Sequence, residues 1–201
     1  MNVFVELAVL RGEHVQLEPL ELSHADELLQ AASDGELWKL WYCSVPKPEK
    51  IHDYITHAIE QRNAGQELAF AVRQVQGGQP GRVVGSTRFC RIDAVNRRAE
   101  IGYTWYAQAL QGTLINAESK LLLLQHAFEN LRCIAVEFRT HWMNHRSRAA
   151  IAKLGAKQDG VLRNHVIMNG TLRDTVVYSI LPGEWPTVKA HLTYQLDEKP
   201  R

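Results

Sequence analysis

Apolar and polar side chains alternate along several short segments in the first half of the chain. Residues 14–20 follow this alternation, which predicts a strand with one buried face. Residues 68–75, 82–92 and 97–106 are also strand-like, and the glycine-rich stretch 77–81 predicts a tight turn between the first two of them. These three segments are therefore expected to form an antiparallel meander.

A helical period replaces the alternation in three other segments. Ser23 is placed to act as the N-cap of a helix that runs to about Ala32. Pro48 opens a second helix that ends near Asn63, because isoleucines recur there every four positions. The segment 113–131 contains no Pro or Gly, and its apolar positions follow the 3.6-residue period. It predicts a long helix whose broad apolar face packs on a sheet.

The elements after the long helix complete a mixed architecture. Residues 133–140 predict a buried strand, so the chain contains a strand, helix and strand in the order of a parallel βαβ unit. Residues 144–154 predict a short helix that Gly155 ends, residues 161–181 a hairpin, and residues 183–196 a last short helix. The predicted class is α/β (α+β), with a mixed, mostly antiparallel central sheet flanked by helices.

Composition fits one globular domain without a strongly charged surface. The chain has 201 residues, of which 45% are hydrophobic and 22% charged, and its formal net charge is +1 at pH 7. This size predicts a single domain, with a core of about residues 10–181 and a C-terminal extension at 182–201. The near-neutral charge argues against a nucleic-acid partner.

Other compositional features predict the setting of the protein. Cys43, Cys90 and Cys133 have no paired spacing, which favours a reducing, cytoplasmic compartment over a disulfide framework. The apolar N-terminal segment carries Glu6 and does not read as a signal peptide, and no apolar run of about 18 residues predicts a membrane span. The histidines lack the paired spacing of metal ligands, so no metal site is expected.

The segment QGTLIN, residues 111–116, lies between a predicted strand and the long helix. A helix start has unsatisfied N–H groups and the positive end of the helix dipole, so it can hold a phosphate group. Gly112 is the only glycine of this segment, whereas phosphate loops usually have two or three. The segment alone therefore fits either a phosphate-binding loop or an ordinary turn.

The order of elements and one long segment carry a family resemblance. The segment is AEIGYTWYAQALQGTLINAESKLLLLQHAFENLRCIAVEFRTHWMNHRSRAAIAKLGAKQDGVLRNHVI. It resembles the GNAT superfamily of N-acetyltransferases, most of all the branch that contains the ribosomal-protein N-terminal acetyltransferases, over roughly residues 10–181. The resemblance implies a GNAT fold and direct transfer of acetyl from acetyl-CoA to a primary amine of a protein N-terminus or a small molecule. It is also compatible with a homodimer.

The resemblance assigns the loop to the pyrophosphate of acetyl-CoA. In the family the loop reads Gln/Arg-x-x-Gly-x-Gly/Ala, and backbone amides bind the pyrophosphate. Here Leu114 and Asn116 stand at the two later positions, and a Leu side chain at the first of them is expected to weaken binding. The residues implied to bind the cofactor here are Gln111, Gly112, Thr113, Leu114, Ile115 and Asn116.

A second family motif lies at the start of the short helix. Asn144 and Ser147 match Asn-x-x-Ser, which implies that they border the pantetheine arm of the cofactor. Asn144 is also a good N-cap, and both roles are compatible. Many members place a Tyr two residues before Lys153 to protonate the leaving thiolate, but this chain has Ile151. By position, Ser147 is the substitute acid.

Amine acetylation also needs a base and an activated carbonyl group. Glu100 lies on the strand before the loop, and the resemblance implies that it faces the acceptor as general base or amine ligand. The alternative is a structural ion pair with Arg97 or Arg98. The strand backbone at Trp105 and Tyr106 would bind next to the thioester and polarise its carbonyl group.

Several functions remain open on the sequence alone. The acceptor is a peptide N-terminus or a small molecule such as a polyamine or an antibiotic, and the aromatic stretch 38–42 is a candidate wall of its pocket. The departures at Leu114 and Ile151 leave two further alternatives. One is a non-catalytic acyl-CoA-binding or regulatory protein, and the other is a protein-interaction module with a vestigial cofactor groove.

Overall fold

The computed structural model describes residues 3–43 and 45–198. Their core is one eight-stranded sheet in the order β1-β2-β3-β4-β5-β6-β8-β7. Every neighbouring pair is antiparallel except β5 and β6, which are parallel. The strands are β1 (Leu10–Arg11), β2 (Val15–Pro19), β3 (Leu68–Gln76), β4 (Gln79–Asp93), β5 (Arg98–Tyr106), β6 (Ala135–His141), β7 (Lys157–Met168) and β8 (Thr171–Ile180).

Helices cover both faces of this sheet. They are α1 (Ala25–Ser33), α2 (Ile51–Asn63), α3 (Leu114–Gln125), α4 (His145–Lys153) and α5 (Trp185–Glu198), and α3 continues into a π-helical turn at His126–Asn130. One hydrophobic core joins α3 and α5 to the sheet, and a second joins α1 and α2 to the opposite face. The sheet therefore has an α1/α2 face and an α3/α5 face.

The parallel pair β5–β6 separates soon after it begins. Its register contains only three residue pairs, the last of which is Glu100 opposite Glu137. β5 continues to Tyr106 and β6 to His141 without further pairing to each other. The sheet consequently splits along this line, and the split connects its two faces.

A β-bulge interrupts β5 at the edge of the split. Ser86 pairs with Trp105 and Arg88 with Gly102, so two residues of β5 face the single residue between them on β4. Tyr103 has a φ of 51°, in the left-handed region. Bulges of this kind re-aim backbone and side chains next to binding sites.

A buried carboxylate fixes the long helix against the N-terminal strands. Glu118 of α3 accepts hydrogen bonds from the backbone N–H groups of Glu13, His14 and Val15 at 2.7–2.9 Å. Charge-assisted bonds of this type are stronger than neutral ones. They hold the helix start in place at the mouth of the split.

The predicted fold class is confirmed, and the differences are local. The predicted strands, the βαβ unit, the last hairpin and the Asn144 cap are all present. The prediction that Ser23 caps the first helix is wrong. Leu22–His24 form a 3₁₀ turn, whose His24 Nδ1 accepts a hydrogen bond from the Glu21 N–H at 3.1 Å, and α1 begins at Ala25.

One feature lies outside what the pattern predicted, whereas the last helix, predicted at residues 183–196, is present as α5. The two-residue strand β1 extends the edge of the sheet, and it is too short to show a period. The predicted C-terminal extension is α5, with residues 199–201 outside the described part. No helix among the described residues is long and apolar enough to cross a membrane.

Candidate active site

The split between β5 and β6 opens into a cleft of about 420 Å³. Its walls come from the loop before α2, the second half of β5, the starts of α3 and α4, and β6. Thr104, Lys120 and Phe138 lie on its α3/α5 side, while Arg139 and Arg173 lie on the other. A ligand in this cleft would therefore reach both faces of the sheet.

The QGTLIN segment forms the start of α3 at one end of the cleft. Gly112 has a φ of 82°, and no atom lies within 4 Å of the position that a Cβ would take. Thr113 is the N-cap, whose hydroxyl oxygen accepts from the Ile115 N–H at 3.4 Å. Gln111 donates from Nε2 to the Tyr106 carbonyl at 3.1 Å and holds the turn. The left-handed conformation thus falls on the residue that tolerates it.

Leu114 is the first residue of α3, and its φ is not positive. A glycine at this position is therefore not needed for backbone reasons. The backbone conformation of Leu114 therefore gives no reason to expect weaker binding of the cofactor.

The predicted cofactor-binding residues divide into two groups. Gln111, Gly112, Asn116, Asn144 and Ser147 line the cleft, together with Trp105 and Tyr106. The other three, Thr113, Leu114 and Ile115, contribute the helix start, and the Ile115 side chain is buried in the core.

The start of α4 faces the start of α3 across the cleft. Asn144 Oδ1 accepts from the Ser147 N–H at 3.0 Å, so the Asn caps the helix and also lines the cleft. Arg146 and Ile151 lie on the same lining. The helix therefore presents a polar first turn followed by an apolar wall.

Glu100 lies on the α1/α2 face, where β5 and β6 begin to separate. It is 7% exposed, and its Oε2 lies 3.1 Å from Arg91 Nε and 3.4 Å from Arg139 Nε. Burial raises the pKa of this carboxyl group to about 7, against the lowering effect of the two arginines. Glu100 therefore does form ion pairs, as the predicted alternative had it, but with Arg91 and Arg139 and not with Arg97 or Arg98. Arg98 pairs with Glu137.

Glu100 does not line the cleft itself but borders a neighbouring polar groove of about 560 Å³ on the same face, and Arg139 lines both cavities. The groove is lined by Arg91, Asp93, Asn96, Arg98, Ala99, Glu100, Ile134, Glu137 and Arg139. A carboxyl group with a pKa near 7 is ionised in part of the molecules at neutral pH and can exchange protons with a bound amine.

Lys120 is a site residue that sequence reasoning missed. It lies four residues after Asn116 on the same face of α3, lines the cleft and is only 5% exposed. Its Nζ donates to Thr104 Oγ1 at 2.7 Å and lies 6.0 Å from the centre of the Phe138 ring. No carboxylate of the described chain pairs with it, and burial lowers its pKa to about 7. In the sequence, Lys120 could have been recognised as a charged residue on the apolar face of a helix that was predicted to be buried.

On the α1/α2 side the cleft is lined by Tyr42 and Tyr103, whereas Trp38 and Trp41 of the predicted aromatic wall are not part of its lining. A buried arginine lies behind Tyr103. Arg88 is 2% exposed, pairs with Glu67 at 2.6 Å and stacks between the rings of Tyr54 and Tyr103. The aromatic stretch 38–42 contributes Leu40 and Tyr42 to the cleft, with Leu37 and Cys43 beside it.

The described residues contain no group of three or more His, Cys, Asp or Glu side chains placed to hold a metal ion.

Known proteins with similar sequences are acetyltransferases. The family model described as acetyltransferase (GNAT) domain matches residues 14–157. The Bacillus subtilis (strain 168) protein YdaF, which has the provisional name of ribosomal N-acetyltransferase, is 35% identical over 179 residues. The match covers 87% of this chain and 94% of that protein.

Solved structures show the same fold. A GCN5-related N-acetyltransferase from Brucella melitensis superposes with a TM-score of 0.84 at 29% identity, over 94% of this chain and 85% of that one. Mycobacterium smegmatis RimJ, solved in complex with CoA-disulfide, has a TM-score of 0.76 at 21% identity, over 95% and 94%. The second likeness bears on the fold only.

Proposed function

Because the chain belongs to the GNAT acetyltransferase family, we propose that it transfers acetyl from acetyl-CoA directly to a primary amine inside the cleft between β5 and β6. One observation carries this proposal. Two buried ionisable groups, Glu100 and Lys120, lie on opposite faces of the split sheet, and each has its pKa brought to about 7. Perturbed groups of this kind concentrate at catalytic sites.

The starts of α3 and α4 supply the groups that acetyl-CoA needs. In the first turn of α3, the Thr113 and Ile115 N–H groups already donate to Leu110 and to the Thr113 hydroxyl group. The N–H groups of Leu114 and Asn116 would therefore bind the pyrophosphate, and the helix dipole favours its negative charge. Asn144 and Ser147 border the pantetheine. Acetyl-CoA supplies an activated acetyl group as a thioester. The backbone of β5 after the bulge, at Trp105 and Tyr106, polarises its carbonyl group.

Glu100 removes the proton from the attacking amine. A C–N bond forms to the acetyl carbon, and the C–S bond breaks, so that the sulfur departs with the electron pair. Ionised Glu100 accepts the amine proton, directly or through a water molecule. The amine is held on the α1/α2 face, where Glu100 lies.

Lys120 gives a proton to the departing sulfur. Its ammonium group lies on the α3/α5 face of the cleft, and its pKa of about 7 makes it a far better acid than the Ser147 hydroxyl group. Lys120 therefore takes the role that the sequence assigned to Ser147, and Ser147 keeps its place beside the pantetheine. Both active groups are reset by proton exchange with water.

The acceptor class is tested by turnover. The purified protein is incubated with acetyl-CoA and either N-terminal peptides, polyamines, aminoglycosides or amino acids. Release of the CoA thiol is followed with a chromogenic disulfide, and acetylation of the amine by mass spectrometry. We expect acetylation of at least one primary amine.

Two other outcomes would support the alternative functions. Binding of acetyl-CoA without acetylation of any amine would favour an acyl-CoA-binding or regulatory protein. No binding of acetyl-CoA would overturn the proposal and favour an interaction module.

A further inference from the structure

Arg173 is a half-buried cation of the cleft that forms no ion pair with any described residue. It lies on β8 and lines the cleft together with Cys43 and His141. Within residues 3–43 and 45–198 its side chain forms no ion pair or hydrogen bond, and its Nε atom is buried without a partner. A guanidinium group left in this state is costly, because it has lost water without gaining an acceptor.

The other arginines of the α1/α2 side each have a carboxylate. Arg88 pairs with Glu67 at 2.6 Å, and Arg91 pairs with Glu100 at 3.1 Å. Arg139 pairs with Glu137 at 2.8 Å and approaches Glu100 at 3.4 Å. The carboxylates of this side are therefore already engaged, and Arg173 differs from its neighbours in having none.

The ionisable groups around Arg173 do not replace the missing charge at pH 7. Burial raises the pKa of the Cys43 thiol and of the Tyr103 phenol, so both are neutral. Burial and the charge of Arg173 lower the pKa of His141, which is also neutral. Burial lowers the pKa of Arg173 itself, while Glu100 is the first carboxylate that opposes this effect. Glu100 is thus a charged neighbour, though one that already has two arginine partners.

We propose that the acceptor is a primary amine that also carries a carboxylate, which Arg173 binds while the amine is directed to Glu100. The planar guanidinium group matches a carboxylate in a two-bond arrangement. The surplus positive charge on this side would repel polyamines and aminoglycosides, which are polycations. This inference rests on the proposed acetyl transfer and adds the chemical class of the acceptor. The carboxylate belongs either to a free amino acid or to an acidic residue close to a peptide N-terminus.

Matched pairs of amines test the inference. KM and kcat are measured for alanine against alaninamide, which lacks the α-carboxylate, and for peptides that begin Ala-Glu against Ala-Gln and Ala-Lys. We expect a KM at least about tenfold lower for the carboxylate member of one pair, since charged hydrogen bonds contribute roughly that much. The pair that shows the effect identifies the source of the carboxylate.

The variant Arg173→Met tests the residue. We expect it to raise the KM of the preferred acceptor about tenfold to hundredfold, with kcat and the Kd of acetyl-CoA little changed. Arg173→Lys should recover only part of the affinity, because a lysine lacks the two-pronged geometry. The control is Arg163→Met on the facing strand, whose side chain is 80% exposed and already paired with Asp174. A merely structural Arg173 would lower the melting temperature when removed, whereas we expect no decrease.

Failure of this inference differs from failure of the proposed function. Acetylation of neutral amines with no preference for a carboxylate, or an unchanged KM in Arg173→Met, would overturn the inference and leave acetyl transfer in place. If no amine is acetylated, the melting temperature is measured in the presence of CoA with and without each carboxylate amine, which shows whether Arg173 binds the carboxylate. Stabilisation by the carboxylate amines that is lost in Arg173→Met would keep the anion site. If the carboxylate amines do not stabilise the wild type, the anion site at Arg173 is overturned as well.

Discussion

Glu100 and Lys120 show how burial changes the chemistry of ordinary side chains. A carboxyl group is usually ionised at pH 7 and a lysine usually protonated. Here desolvation moves the pKa of both to about 7, in opposite directions. Each group can then gain or lose a proton at neutral pH, which is the condition for acid–base catalysis.

The substitution Glu100→Gln should lower kcat by about a hundredfold, because an amide cannot take the amine proton. The Kd of acetyl-CoA should change little, since Glu100 lies on the α1/α2 face, where we propose that the acceptor binds. In the wild type kcat should rise with pH up to about 7, as Glu100 ionises, and the variant should lose this rise. The measurement is a series of stopped-flow and steady-state rates between about pH 5 and pH 9, which brackets the pKa of Glu100.

Glu137→Gln is the matched control. Glu137 lies opposite Glu100 in the register, but its pairs with Arg98 and Arg139 oppose desolvation and its pKa is lowered. It is therefore a poor base at pH 7, and its loss should cost far less activity. An equal loss in both variants would contradict the base role of Glu100.

The substitution Lys120→Met should stabilise the fold while it harms catalysis. The native protein releases the Lys120 proton near pH 7, whereas an unfolded lysine keeps it to about pH 10.5. The stability of the wild type therefore rises with pH between these values. The variant should therefore be more stable than the wild type at pH 7, and this advantage should fall by roughly 1 kcal/mol for each pH unit towards pH 10.

Two measurements check the roles of Lys120. Urea unfolding at pH 7 and pH 9.5 reports the stability, and the pH profile of kcat should lose its decline above about pH 7. A variant that is less stable at pH 7 and has an unchanged pH profile would mean that Lys120 serves only to join α3 to Thr104.

At the scale of elements, the start of α3 depends on one glycine. Gly112 has the left-handed conformation, Thr113 caps the helix and Leu114 begins it. Glu118 ties the same helix to the N-terminal strands. Leu114 and Asn116 stand where the resembled motif has glycines, and neither has a positive φ. The turn before α3 therefore needs a glycine only at Gly112.

The substitution Gly112→Ala should therefore weaken acetyl-CoA binding and stability together. A left-handed Ala costs about 1–2 kcal/mol, and open space around the Cβ position means that strain, not collision, is the cause. Gly160→Ala is the control, because its site is equally open and has no positive φ. Calorimetric titration should show weaker binding for the first variant alone. Unchanged affinity in Gly112→Ala would argue against a pyrophosphate site at this helix start.

At the scale of the whole molecule, the sequence predicted the architecture better than the site. Local periods and glycine positions specify strands, α3, α4 and their order, and they carry the family resemblance. The partners of Glu100 come from β4 and β6, the environment of Lys120 from β5 and β6, and that of Arg173 from three separate segments. Such contacts depend on how far β5 and β6 diverge, which no local pattern encodes.

The central claim is that acetyl-CoA binds in the cleft between β5 and β6. Its most direct test is a calorimetric titration of acetyl-CoA into the wild type, Ala150→Trp and Ala149→Trp. Both alanines are exposed on α4, but only Ala150 lines the cleft. We predict saturable binding to the wild type and Ala149→Trp, and at least about tenfold weaker binding to Ala150→Trp, whose indole would occupy the cleft. Equal affinity in all three proteins, or no binding to the wild type, would contradict the account.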